Sequence, residues 1–290
     1  MRTEQEMFNL ILGIAKDDPR VKAVYMNGSR TNPNADKDIF QDYDIVYVVE
    51  ETESFQADDQ WILQFGEPLY MQFPENSPFF PSDRHNCYGW LIQFTDGNRL
   101  DLHVETISNA LDNIEDDSLC IVLLDKEGIL PAIPPSTDKG YWVTRPTEEE
   151  YLASCNEFWW CLNNVAKGLW RGEITYVQDM IHGPLRDELR RLLSWKIGLL
   201  TDFSVSIGKS GKYMHRYLPA ADWQRYLATY SSADIEATWK AVTDMCRFFE
   251  EVALHVAHEL GYTYNLTEGQ NSFSFLQHVR QLPKDAEGVY

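Results

Sequence analysis

The sequence predicts two regions of different class, an N-terminal α/β region over residues 1–135 and an all-helical region over 146–290. Three observations predict this. Short strand-like runs separated by turn signals fill the first half of the chain. A Pro-rich stretch, "LPAIPPSTDKGYWVTRP" at 130–146, interrupts regular structure and reads as a linker. Beyond it, apolar residues recur at three- and four-residue steps, the period of a buried helix face.

Taken in order, residues 4–16 carry a helical stripe of Met7, Leu10, Ile11 and Ile14. "VKAVYM" reads as a strand, "DYDIVYVVE" as a second and "PLYMQF" as a third. "WLIQFTDGNRLDLHVET" is the strongest hairpin signal, two strand-like runs joined through Asp96-Gly97-Asn98. "LCIVLLDKEG" adds a short apolar run ending in a turn. After the Pro-rich stretch, Thr147 and Glu150 match the Thr-x-x-Glu capping box that opens helices. Tyr151, Cys155, Phe158, Leu162, Val165 and Leu169 then mark one helix. Ile174 to Leu193 mark a second, bent near Gly183-Pro184. A third runs from Ala233 to Leu260 and stops at Gly261, a residue suited to ending a helix.

Composition narrows the function classes. No run approaches the roughly 20 apolar residues that span a bilayer, and the N-terminus is amphipathic without a signal-like cleavage site. Five cysteines at 87, 120, 155, 161 and 246 form no C-x-x-C pair, a pattern that suits a reduced cytoplasmic protein. The net charge of −20 argues against nucleic acid as a partner, because such binding leans on Lys and Arg. It suits a small cation, although ordinary soluble proteins are acidic too. A monomer or weak dimer is expected.

The chemistry concentrates in "YMNGSRTNPNADKDIFQDYDIVYVV", residues 25–49. Strand alternation puts Asp42 and Asp44 on one face, with Tyr43 and Ile45 on the other. The same alternation in "RLDLHVE" sends Asp101 and His103 one way and the leucines and Val104 the other. An acid inside an apolar strand is costly unless compensated, and a shared metal would compensate it. Oxygen donors suit Mg2+, which is held by one or two carboxylates plus substrate phosphates. Three carboxylates can hold two ions that clamp an in-line phosphoryl displacement. Gly28-Ser29 after a strand lets backbone approach a phosphate, and Arg30 either adds charge there or faces solvent. Each feature is common alone; the ordered combination is far more specific.

The segments "GSRTN", "FQDYDI", "DGNRLDL", "LLDK", "CNEFW", "KGL", "SVSIGKSGKYMHRYL" and "TYSSADIEATWKA" extend that pattern over roughly residues 1–265. Through them the chain resembles the polymerase-β-like nucleotidyltransferases and, more closely, the aminoglycoside 6-adenylyltransferases, which modify streptomycin. The resemblance implies an α+β fold: a nucleotidyltransferase domain with a small mixed sheet and helices, then an all-α helical bundle, with the active site between them. It implies transfer of AMP from MgATP to a streptomycin hydroxyl, releasing pyrophosphate. Asp42 and Asp44 would then hold Mg2+, with Asp101 as third carboxylate and general base. Gly28 and Ser29 would bind the terminal phosphates. One or both of Lys209 and Lys212, in "GKSGK" where relatives usually read "GKNYK", would neutralise the triphosphate. Relatives carry Thr where His103 stands, so the family lends His103 no role. Glu157 in "CNEFW" and Asp179 in "YVQDMIH" are candidates to grip the guanidinium groups of the antibiotic, or are helix-surface acids paired with neighbours. Trp159, Trp160 and Trp170 serve core packing or stacking on a sugar ring.

Other motifs are excluded. "GKSGK" is no P-loop, since Phe203 and Ser206 stand where its first glycine would fall. "HVAHEL" is not H-E-x-x-H, and neither G-x-G-x-x-G after a strand nor G-x-S-x-G is present. Two readings compete with the adenylyltransferase: the same fold acting on another small cationic acceptor, and a non-catalytic nucleotide-binding module. Pyrophosphate release from MgATP with a panel of acceptors discriminates them.

Overall fold

The structure, a computed structural model, describes residues 1–290, which divide into two compact units, Met1–Gly140 and Tyr141–Tyr290. The first is built on a six-stranded mixed sheet in the order β3-β4-β5-β2-β1-β6. Its strands are β1 Val21–Asn27, β2 Tyr43–Val49, β3 Pro68–Gln72, β4 Cys87–Phe94, β5 Arg99–Thr106 and β6 Cys120–Asp125. All neighbours are antiparallel except β2 and β5, which run parallel in a register that pairs Asp44 with Asp101. The hairpin expected through Asp96-Gly97-Asn98 is β4–β5.

Alternation along the strands gives the sheet two faces. On one, helix α1 (Glu4–Asp17) packs Met7, Ile11 and Ala15 against Val24, Ile45, Tyr47 and Leu102. A capping box at Thr3 and Glu6 starts that helix, and the short α2 (Glu53–Gln56) adds Phe55 to the same face. On the other, α3 (Ile107–Asn113) and residues 129–133 cover Ala23, Tyr25, Val46 and Val48. Asp44 and Asp101 belong to this second face by their position in the alternation. The Pro-rich stretch departs from the expectation of a plain linker. Ser136 donates to the Thr31 carbonyl (2.8 Å), the Thr137 N–H to the Ser118 carbonyl (3.0 Å), and Asn34 to Asp138 (3.0 Å). Its first two-thirds is therefore part of the sheet unit.

The second unit is helical: α4 Glu148–Arg171, α5 Ile174–Met180, α6 Arg186–Leu200, α7 Ala220–Ala228, α8 Ile235–Leu260 and α9 Leu266–Gln281. The capping box at Thr147 and Glu150 forms as expected, and α8 ends on Gly261 in the left-handed region (φ 76°). The bend foreseen at Gly183-Pro184 is a π turn over Ile181–Leu185, where proline removes one helical hydrogen bond. The long α4 and α8 carry the core, with Phe158 and Phe249 stacked at 3.6 Å between ring centroids. Sequence periodicity did not announce α7 and α9, because α7 buries only Tyr226 and α9 only Gly269, Leu276 and Val279. All five cysteines are free thiols, and no helix is long and apolar enough to cross a membrane.

Candidate active site

The site begins where β1 ends. Gly28 sits at φ 78°, ψ −158° and opens a 3-10 turn over Ser29–Thr31. Thr31 closes the turn, its N–H and hydroxyl both donating to the Gly28 carbonyl (3.1 and 2.9 Å). The need for glycine is local and steric: a Cβ here would lie 2.0 Å from Asp44 Oδ2. The sequence suggested that Gly28 admits a phosphate; the structure adds that it admits the Asp44 carboxylate.

Asp42 immediately precedes β2, Asp44 is its second residue, and Asp101 is the third residue of β5. Parallel register sets Asp44 beside Asp101, and ligand oxygens of all three carboxylates lie within 4.8 Å of one another. Burial, then the charges of Asp42 and Asp101, push the Asp44 carboxyl up to about 7. Three hard oxygen donors converging in a half-buried place, one strained toward its protonated form, make a donor set suited to a divalent cation.

Two neighbours of this cluster escaped the sequence analysis. Arg99, two residues before Asp101 on the same strand face, forks onto it: Nε to Oδ1 at 2.8 Å and Nη2 to Oδ2 at 2.6 Å. Its Nε also lies 3.8 Å from Asp42 Oδ2. Asn27 pairs with Asp44 across β1–β2, and its buried Oδ1 has no hydrogen-bond partner. The alternation rule that selected Asp101 and His103 applies equally to Arg99. His103 is not one of the cluster; its ring lies over Gly89, where a Cβ would meet Cδ2 at 2.4 Å.

Arg30 is engaged within the loop. It donates to the carbonyls of Asp42 and Gln41 (both 2.8 Å), pairs with Glu4 (3.0 Å) and lies over the Tyr43 ring (3.7 Å to the centroid). It thereby holds the backbone that carries Asp42. In the helical unit, Lys209 and Lys212 are exposed on a turn around Gly211, with the Lys212 ammonium 5.0 Å from the Tyr213 ring centroid. Glu157 on α4 and Asp179 on α5 are both exposed; Glu157 accepts only from the Cys161 thiol (3.2 Å), and neither is in an ion pair. Trp159 is core, and Trp160 is the exposed tryptophan of the α4 pair.

A mixed sheet that presents Gly-Ser at the end of one strand and three converging carboxylates beside it is a nucleotidyltransferase scaffold, and the chain is an enzyme of that class. It belongs to the streptomycin adenylyltransferase family, whose profile matches residues 1–279. It is 39% identical over 265 residues to the aminoglycoside 6-adenylyltransferase of Bacillus subtilis (strain 168), covering 91% of this chain and 93% of that protein. The protein of the same name from Campylobacter jejuni is 37% identical over 266 residues, 92% of each chain. A crystal structure of an aminoglycoside 6-adenyltransferase from Bacillus subtilis matches 97% of this chain and 100% of its own at 33% identity, with a TM-score of 0.49.

Proposed function

We propose that this enzyme transfers AMP from MgATP to a hydroxyl of streptomycin, releasing pyrophosphate, and that it works in the cytoplasm. The observation that carries the reading is the cluster of Asp42, Asp44 and Asp101 in a chain matched to the family along residues 1–279. The relatives' acceptor class supports an aminoglycoside. The exposed Glu157 and Asp179 support a cationic one.

Asp42, Asp44 and Asp101 would hold Mg2+, whose chemistry when bound is to neutralise phosphate oxygens and polarise the phosphorus under attack. The Ser29 hydroxyl, at the start of the turn, and Gly28 receive the terminal phosphates, and one or both of Lys209 and Lys212 supply positive charge to them. Arg30 acts as a positioning residue, through its two bonds to the loop carbonyls beside Asp42. The acceptor oxygen attacks the α-phosphorus in line, the bond to the pyrophosphate oxygen breaks, and the hydroxyl proton passes to the Asp101 carboxylate. Glu157 and Asp179 orient the acceptor by its guanidinium groups.

The test is pyrophosphate release from MgATP with streptomycin, kanamycin and gentamicin, with Asp42→Ala as control. Release with streptomycin alone, absent in the control, is the expected result. Release with an unrelated acceptor and none with streptomycin would overturn the acceptor assignment. Undiminished release by Asp42→Ala would overturn the site.

A further inference from the structure

Arg99 engages both oxygens of Asp101, the carboxylate to which the reaction assigns both cation binding and proton acceptance. Its Nε and Nη2 sit 2.8 and 2.6 Å from the two oxygens, and the same Nε reaches to 3.8 Å from Asp42. A forked, charge-assisted pair of this kind is among the stronger polar contacts in proteins. Arg30, the other arginine near the cluster, makes no hydrogen bond to its carboxylates and is held by carbonyls, Glu4 and the Tyr43 ring. The Asp101 side chain is 12% exposed, whereas the Arg99 side chain is 46% exposed. The guanidinium therefore lies on the solvent side of the acid and leaves without disturbing the core.

We propose that Arg99 is the resident counter-ion of the carboxylate cluster, displaced from Asp101 and Asp42 when a divalent cation enters and delivered to the phosphates that arrive with it. The inference rests on reading the three carboxylates as a metal site. A guanidinium fork and a divalent ion cannot share the same two oxygens without strong like-charge repulsion. Entry of the ion therefore favours exchange. Once displaced, Arg99 remains tethered two residues from Asp101 beside a polyanion, and a planar fork suits phosphate oxygens as well as it suits a carboxylate. In the absence of nucleotide the pair keeps three crowded acids compensated; with nucleotide the same side chain reports that the cation is in place.

The experiment uses Mn2+ as the cation, read by electron paramagnetic resonance or calorimetry, and a non-hydrolysable ATP analogue as nucleotide. Without nucleotide, Arg99→Gln is expected to bind Mn2+ about tenfold more tightly than the unaltered protein, because the competing cation is gone. At saturating Mn2+, it is expected to bind the analogue about tenfold more weakly. Arg99→Lys keeps the charge without the fork and should fall between on both measures, which guards against misfolding of the glutamine variant. Equal or weaker Mn2+ binding by both variants overturns the counter-ion role. Tighter Mn2+ binding with unchanged analogue affinity overturns delivery to phosphate. If neither the unaltered protein nor the variants bind Mn2+, the metal reading fails and this inference falls with it.

Discussion

The acids of the sheet unit and those of the helical unit meet opposite circumstances. Asp44 and Asp101 are forced together by parallel register, with Asp42 beside them, in a place where burial and mutual charge push one carboxyl up to about 7. Glu157 and Asp179 stand apart on exposed helix surfaces, neither in an ion pair. Crowding makes the first set costly to the fold and so points to a ligand that repays the cost. Isolation makes the second set cheap and adaptable, a surface that can lend charge without being organised by it. Catalysis therefore belongs with the crowded acids and affinity with the isolated ones.

The sharpest way to break that contrast is Asp44→Asn. It removes one charge from the crowd while keeping the shape, so turnover should fall about a thousandfold or more. The cation-free protein should melt higher, by about 2 °C or more, because like-charge repulsion is relieved. Both readouts come from one purified variant, a pyrophosphate assay and a thermal melt in chelator. Lower melting together with lost turnover would mean that Asp44 serves the fold rather than a ligand.

A smaller effect is expected from the helical acids. Glu157→Gln and Asp179→Asn should each raise KM for streptomycin by about fivefold while leaving kcat within about twofold, as exposed ion pairs contribute modestly. The unaltered KM for MgATP is the internal control. A fall in kcat with KM unchanged would move these residues into the chemistry and erase the distinction between the two units.

Much of this arrangement is legible in the sequence, and the reasons are particular. Alternation along a strand is a strict rule of geometry, so "QDYDIVYVV" and "RLDLHVE" already put Asp42, Asp44 and Asp101 on defined faces. What alternation could not supply was register: that β2 and β5 are parallel neighbours, with Asp44 opposite Asp101, depends on the whole sheet. Arg99 obeys the same rule as Asp101, but an arginine next to a hairpin turn carries no signal of its own in the sequence. Asn27 lacked any signal beyond its place before Gly28; its orphaned Oδ1 is a fact of packing. The helices α7 and α9 stayed hidden because so few of their residues are buried. Residues 130–146 read as linker because prolines interrupt regular structure, although three hydrogen bonds seat Ser136, Thr137 and Asp138 on the sheet unit.

The smallest effect concerns an acid whose partner is built in. Asp96, in the β4–β5 turn, would be raised by its partial burial, but the Arg2 guanidinium at 2.7 Å and the N–H groups of Asn98 and Arg2 outweigh this. They hold its carboxyl well below the usual range. A depressed folded-state pKa contributes stability that is fully present above the unfolded value. That contribution fades as pH falls through the folded one. The window is therefore acidic, from the ordinary carboxylate range near pH 4 downward. Asp96→Asn should melt slightly lower than the unaltered protein at pH 7, with the gap closing as the pH is lowered through that window. Thermal melts at pH 7, 5, 4 and 3 measure it. Asp44→Asn, by contrast, should melt higher at pH 7, so the pair of variants moves in opposite directions. A parallel fall in both would show that a paired acid and a crowded one weigh alike on this fold, and the contrast between answered and unanswered charge would not hold.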